Sequence, residues 1–241
     1  MRSHRLRDLP RFTQRARALI WPDHFAKEVY PEVRAHTFLR YETLRSLYDA
    51  ARYVVRHGIR GSAVECGVAR GGSGATIATA LSEADPSRHI FLFDTFEGLP
   101  APTRENPDYD RAAPLKGKCL GGLEEVEDLF RRLRLSNYRL VKGMFQETLP
   151  VTDTGDIGLL HLDGDWYEST RTCLENLWDR VSEGGIVQID DYGEWQGCKK
   201  AVDEFLTKRA IDVRLHYVDP SARRLVKLYK RARQSLPQNL N

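Results

Sequence analysis

Cysteine is scarce in this chain of 241 residues, and its four copies, Cys66, Cys119, Cys173 and Cys198, lie far apart with no CxxC pair and no histidine at ligand spacing. This excludes zinc coordination and a disulfide framework, and leaves four reduced, structural thiols. Long apolar runs are missing too: nowhere do about 18 apolar residues follow one another, which excludes an ordinary membrane-spanning helix. No apolar stretch of the signal-peptide kind follows the basic first residues, so the expectation is a cytoplasmic protein with no membrane partner. An excess of one charge is also lacking. The 37 basic and 34 acidic residues leave a net +3, too mild for nucleic-acid binding across the whole molecule. No internal repeat occurs. A hydrophobic content of 41% excludes general disorder and supplies enough core for one large α/β domain.

Local charge is less even. Arg2, Arg5, Arg7, Arg11, Arg15 and Arg17 face a single acid, Asp8, in the first 17 residues, which reads as a basic arm forming a solvated or partner-packed helix interrupted at Pro10. Residues 1 to about 60 read as a mostly helical arm or cap. Leu44, Leu47, Tyr48, Ala51, Val54 and Val55 fall on one helical face, and Gly58 stops that helix. From Ala63 onward short apolar runs alternate with helical segments, which predicts βαβ units across 61–241 and a doubly wound sheet of about seven strands. Pro220 and Ser221 make the last connection short enough for a hairpin, so one antiparallel strand is expected at the sheet's end. Residues 98–137 break the alternation with a proline-rich loop, the kind of segment that serves as a lid.

Two short segments carry the chemistry. HLDGDWYEST (161–170) and GGIVQIDDYGEW (184–195) each run from an apolar strand into acid, the first into Asp163 and Asp165, the second into Asp190 and Asp191. Strand ends side by side would gather four carboxylates, which repel one another where water is sparse and persist where a cation, a proton or a basic partner compensates. Carboxylates without His or Cys suit a hard cation such as Mg2+ or Mn2+. The plainer alternative is that single aspartates end strands in solvated loops. His161, two residues before Asp163, is a rival catalytic base, with a hydrogen-bonded core histidine as its plainer reading; Trp166, Tyr167 and Trp195 read as packing residues before sugar platforms.

Upstream, ECGVARGGS (65–73) joins the first strand to the first helix of the alternating region. Glycines there let backbone approach a ligand and leave N–H groups free at the helix start. The spacing departs from the G-x-G-x-x-G dinucleotide fingerprint, which weakens a hydride-transfer reading. Glu65 would attract a ligand ammonium and repel a pyrophosphate, and Arg70 either meets a ligand carboxylate or is simply exposed. Asp94, at the end of the second strand, can accept hydrogen bonds from both ribose hydroxyls. Together these outline a nucleoside carrying an amino acid, which is S-adenosylmethionine.

VECGVARGGS, FLFDTFEGLP, GMFQETLP, LLHLDGDWYEST and GGIVQIDDYGEWQGCKKAVDEF, in that order over roughly residues 41–210, resemble the macrocin O-methyltransferase family of antibiotic-sugar methyltransferases. The resemblance implies a Rossmann-like class I methyltransferase fold, S-adenosylmethionine as methyl donor, and a divalent metal, usually magnesium. By motif it assigns Asp163, Asp190 and Asp191 as metal ligands and Asp165 as general base. It assigns Glu65, Gly67, Ser73 and Asp94 to the cofactor, with Phe145 and Gln146 near its adenine. The implied acceptor is a small molecule, a sugar hydroxyl of a glycosylated natural product, and the implied assembly is a homodimer or higher homo-oligomer. Two other readings stand beside it: a catechol or phenol O-methyltransferase, and a non-catalytic cofactor-binding accessory module.

Overall fold

The computed structural model describes residues 23–228. The basic arm proposed for residues 1–17 lies outside them. Seven strands form one sheet: β1 (Ser62–Cys66), β2 (Ile90–Asp94), β3 (Tyr138–Lys142), β4 (Ile157–Leu162), β5 (Val181–Ile189), β6 (His216–Tyr217) and β7 (Arg223–Val226), in the order β3-β2-β1-β4-β5-β7-β6. The pairs from β3 through β5 are parallel, and β7 runs antiparallel to both β5 and β6. The single antiparallel strand expected from sequence is therefore present, but it sits one place inside the edge. Much of 212–219, which reads as a strand, pairs only at His216 and Tyr217.

Among the described residues, five longer helices pack on the sheet: α1 (Tyr41–Arg56), α2 (Gly72–Ala84), α3 (Leu123–Arg132), α4 (Tyr167–Leu177) and α5 (Gln196–Lys208). Side-chain alternation along the strands divides the core between the two faces. Ala63, Leu159 and Ile186 pack with the buried residues of α1, α2 and α3, while Val64, Leu160 and Val187 pack with those of α4 and α5. All six residues of β4 are buried, as a central parallel strand covered on both faces requires, and this explains the near-continuous apolar run IGLLHL. Helix α1 buries Leu44, Leu47, Tyr48, Ala51 and Val54 and ends before Gly58, whose φ of +65° is the left-handed conformation that closes helices. Phe25, Val29 and Val33, in the helical turns before α1, belong to the same core cluster as α1 and α2. Residues 25–55 thus share their core with the sheet.

The 98–137 stretch carries a one-turn helix at Tyr109–Ala112 and then α3. Its loop is tied down at several points. The Trp166 indole donates to the Pro100 carbonyl at 3.0 Å, the Gly197 N–H at the start of α5 donates to Asp108 at 2.7 Å, and the Arg111 guanidinium lies 4.0 Å from the Trp195 ring centroid. Trp166 and Trp195 are both buried and meet edge to face at 5.0 Å. Their role in this structure is to seat the loop over the starts of α4 and α5.

Candidate active site

The carboxyl ends of β1, β2, β4 and β5 open into a cavity of about 300 Å³, the position at which open α/β sheets bind ligands. Its floor is made where three strands stay locked slightly beyond their ends: Asp163 N–H donates to the Cys66 carbonyl, and Asp190 N–H to the Leu162 carbonyl, each at 2.8 Å. Gly67 is indispensable at this crossing. Its φ is +94°, and a Cβ on it would lie 1.8 Å from the Asp163 carbonyl oxygen.

Six aspartates line the cavity, and four of them, Asp163, Asp165, Asp190 and Asp191, come from the ends of β4 and β5. Strand β4 stops at Leu162, and Asp165 adopts a left-handed φ of +55°, which turns its N–H onto the Asp191 carboxylate at 2.9 Å. As a result one carboxylate oxygen each from Asp163, Asp165 and Asp191 lies within 4.8 Å of the others. Asp190 is not in that trio. It faces the side of the cavity where Arg40 and Asp219 act on its charge, and its own carbonyl accepts from Ser221. The electrostatics follow from crowding acids in little water. Burial, then repulsion from Asp190 and Asp191, holds Asp163 well above the ordinary carboxylate range. Burial, then Asp190, pushes Asp165 up to about 7, with the Trp195 side chain opposing. Asp190 rises to about 6 by burial, moderated by His161, and Asp191 is raised by burial and by Asp165. The trio offers only hard oxygen donors and surplus negative charge, and this chemistry fits a divalent cation such as Mg2+ or Mn2+.

The residues expected at the cofactor separate into two groups. Gly67, Asp94, Phe145 and Gln146 line the cavity. The Asp94 carboxylate accepts from the N–H groups of Val68 (2.7 Å) and Ala69 (3.1 Å) and of Phe96 (2.7 Å). It thereby holds the glycine loop in shape in addition to facing the cavity. Glu65, Arg70 and Ser73 do not line it. Ser73 is buried in the first turn of α2. Arg70 is exposed, with its guanidinium 5.4 Å from the Phe38 ring centroid. Glu65 is fully buried and pairs with His161, Oε1 to Nδ1 at 2.8 Å, one proton lying between them. Both belong to the α1 face of the sheet, in register with Gln188 on β5. His161 also lies outside the cavity lining, in the place a hydrogen-bonded core histidine would occupy. Gly74 of α2 leaves room for the second Glu65 oxygen, which would lie 2.7 Å from a Cβ there.

Other lining residues escaped sequence reasoning: Phe38, Arg40 and Thr43 around the start of α1, Cys119 from the long loop, and Asp219 and Ser221 from the β6–β7 turn. Cys119 is exposed, unlike the other three cysteines, so the reading of four structural thiols holds for three. Two signals touched these positions: the 98–137 loop, read as the kind of segment that serves as a lid, contains Cys119 and lines the cavity there, while the hairpin signal at Pro220 and Ser221 says nothing of the cavity.

A seven-stranded sheet of this order with a cavity at its carboxyl end is the class I methyltransferase fold. The solved structure of the O-methyltransferase NovP superposes with a TM-score of 0.77 at 30% identity, over 80% of this chain and 83% of that one. The macrocin-O-methyltransferase (TylF) family model matches residues 10–225, and the chain belongs to that family; it is an O-methyltransferase. Among its relatives is the 8-demethyl-8-(2,3-dimethoxy-alpha-L-rhamnosyl)-tetracenomycin-C 4'-O-methyltransferase of Streptomyces olivaceus, 36% identical over 196 residues, 79% of this chain and 74% of that protein. Another is the demethyldecarbamoylnovobiocin O-methyltransferase of Streptomyces niveus, 34% identical over 191 residues, 77% of this chain and 73% of that protein. Among the described residues no helix is long and apolar enough to cross a membrane.

Proposed function

We propose that this chain transfers the methyl group of S-adenosylmethionine to a sugar hydroxyl of a glycosylated natural product, with Asp163, Asp190 and Asp191 holding Mg2+ or Mn2+ and Asp165 acting as general base. The observation that carries this reading is the gathering of Asp163, Asp165, Asp190 and Asp191 in the cavity that Gly67, Asp94, Phe145 and Gln146 also line; Asp163 and Asp191 belong both to the proposed ligand set and to the trio of converging oxygens, in which Asp165 stands beside them. The names of the Streptomyces olivaceus and Streptomyces niveus relatives support the acceptor class.

Methyl transfer from a sulfonium is an in-line displacement. The acceptor oxygen bonds to the methyl carbon as the carbon–sulfur bond breaks, S-adenosylhomocysteine leaves, and the hydroxyl proton passes to a base. Holding acceptor and donor in line supplies several kcal/mol of the barrier reduction, and the cavity walls would perform that task. A free aspartate is too weak a base for a sugar hydroxyl. Burial and Asp190 push Asp165 up to about 7 in the metal-free cluster; a bound cation would draw that value down, and acidification of the acceptor hydroxyl by the same cation would narrow the mismatch from the other side. A divalent ion, when bound, would polarise the acceptor hydroxyl as a Lewis acid.

Asp165→Asn separates the roles. The variant should keep its affinity for Mn2+ and S-adenosylhomocysteine while turnover falls by about 10²- to 10⁴-fold, the range of a lost general base. A rate near wild type would dismiss Asp165 as the base. EDTA should stop methylation reversibly, and activity that survives chelation would remove the metal from the mechanism.

A further inference from the structure

We infer that Ser221, in the β6–β7 turn, is a positioning residue for the Asp190–Asp191 pair, with Asp219 and Thr43 anchoring it; this rests on the metal-dependent reading above. Ser221 grips both ends of the turn that carries the two acids. Its Oγ donates to the Asp190 carbonyl at 2.7 Å, and its own carbonyl accepts from the Gly193 N–H at 2.8 Å. The two turns are in direct contact, since a Cβ on Gly193 would lie 2.1 Å from the Pro220 carbonyl oxygen.

The β5–β7 ladder pairs Ile189 with Arg223 as its last register position, and the Ser221 hydroxyl supplies the next bond that the ladder lacks. On the opposite side, Asp190 N–H is held by the Leu162 carbonyl of β4. The Asp190 backbone is therefore clamped from both neighbours. Such a clamp is needed because the acids it carries repel one another and Asp163, and repulsion favours a splayed turn.

Ser221 is itself held. Asp219 is 4% exposed, and its Oδ1 accepts from the N–H groups of Ser221 at 2.8 Å and Ala222 at 2.7 Å. Its Oδ2 accepts from the Thr43 hydroxyl of α1 at 2.6 Å, a link across 176 positions of sequence. Thr43, Asp219 and Ser221 all stand in the cavity wall. The edge hairpin, remote in sequence from every motif of the site, thus sets the position of two of its acids.

Ser221→Ala deletes the bond to Asp190 and leaves the backbone bond to Gly193. The test is calorimetric titration of wild type, Ser221→Ala and Ser221→Thr with Mn2+ and separately with S-adenosylhomocysteine, with the melting temperature recorded for each. The expected result is Mn2+ affinity lowered on the order of 5- to 10-fold in Ser221→Ala, the equivalent of one neutral hydrogen bond. Affinity for S-adenosylhomocysteine and melting temperature stay near wild type, and Ser221→Thr, which keeps the hydroxyl, recovers the Mn2+ affinity. Unchanged Mn2+ affinity in Ser221→Ala overturns the proposal, as does a parallel fall in both affinities and in melting temperature, which would mark Ser221 as fold support alone. A wild-type protein that binds no Mn2+ would sink the metal reading itself and this proposal with it, whereas a failure confined to the variant counts against Ser221 only.

Discussion

The crowded carboxylates should make the metal-free protein lose stability as pH rises through neutrality. Asp165 stands at about 7 in the folded chain against an ordinary 3.8, so folding favours its protonated form. Between these values the folded chain binds more protons than the unfolded one, and stability falls with rising pH. The contribution is complete below about 4 and lost as pH climbs through about 7. At ~1.4 kcal/mol per pH unit, the span from pH 5.5 to 7 corresponds to about 2 kcal/mol from Asp165 alone. Asp190, at about 6, acts in the same direction, but the two groups repel one another and their contributions do not simply add. Urea unfolding followed by tryptophan fluorescence, in EDTA at pH 5.5 and pH 8, measures the difference. With a slope of ~2 kcal/mol/M, the midpoint should drop by about 1 M at the higher pH. Asp165→Asn mimics the protonated carboxyl, and it should be more stable than wild type at pH 8 with a flatter pH profile. Saturating Mn2+, at about 100 times its dissociation constant, should return about 2.7 kcal/mol to the wild type. A metal-free profile that is flat or rising between pH 5.5 and 8, or an Asp165→Asn variant no more stable than wild type at pH 8, would refute the assignment of this cost to the acid cluster.

Two further substitutions test the floor of the site. Gly67→Ala places a Cβ 1.8 Å from the Asp163 carbonyl oxygen at a φ of +94°, so it should cost more than about 2 kcal/mol, lower the melting temperature by over ~4 °C and abolish S-adenosylhomocysteine binding; a melting temperature equal to wild type would show that the strand ends can part. Glu65→Ala leaves the buried His161 ring without its partner and should cost about 2–4 kcal/mol in urea unfolding, with Glu65→Gln milder because it keeps a hydrogen bond. If Glu65→Ala instead weakened S-adenosylhomocysteine binding with no loss of stability, Glu65 would be a ligand contact after all.

The doubly wound sheet was legible because its signals are local. IGLLHL and GIVQI are apolar runs of strand length, α1 repeats its apolar residues at helical spacing, and Gly58 falls where that helix must stop. The acid-bearing strand ends were legible for the same reason, since a buried parallel strand that runs into aspartate can do so only at the sheet's edge of charge and solvent. Glu65 was harder. Its place beside the glycine loop invites a ligand contact, yet strand alternation aims it at the α1 face, where register with His161 on β4 gives it an internal partner. Asp94 likewise turns part of its carboxylate toward the loop N–H groups of Val68 and Ala69. Sequence proximity to a loop does not say which of two faces a side chain takes when the neighbouring strand is 96 positions away.

Taken alone, the sequence determined the class of fold, the family by its motifs, and the composition of the acid cluster, because each depends on residue type and short-range period. Tertiary structure decided which acids meet. The left-handed turn at Asp165 brings its carboxylate to Asp163 and Asp191, and Asp190 is drawn toward the hairpin turn. It also decided the far wall of the cavity, where Thr43 reaches Asp219 and Ser221 reaches Asp190. The first joins the beginning of the described chain to its end across 176 positions and the second spans 31; no local pattern encodes either, since a hydroxyl carries no preference for a distant carboxylate or carbonyl until the core has packed them together.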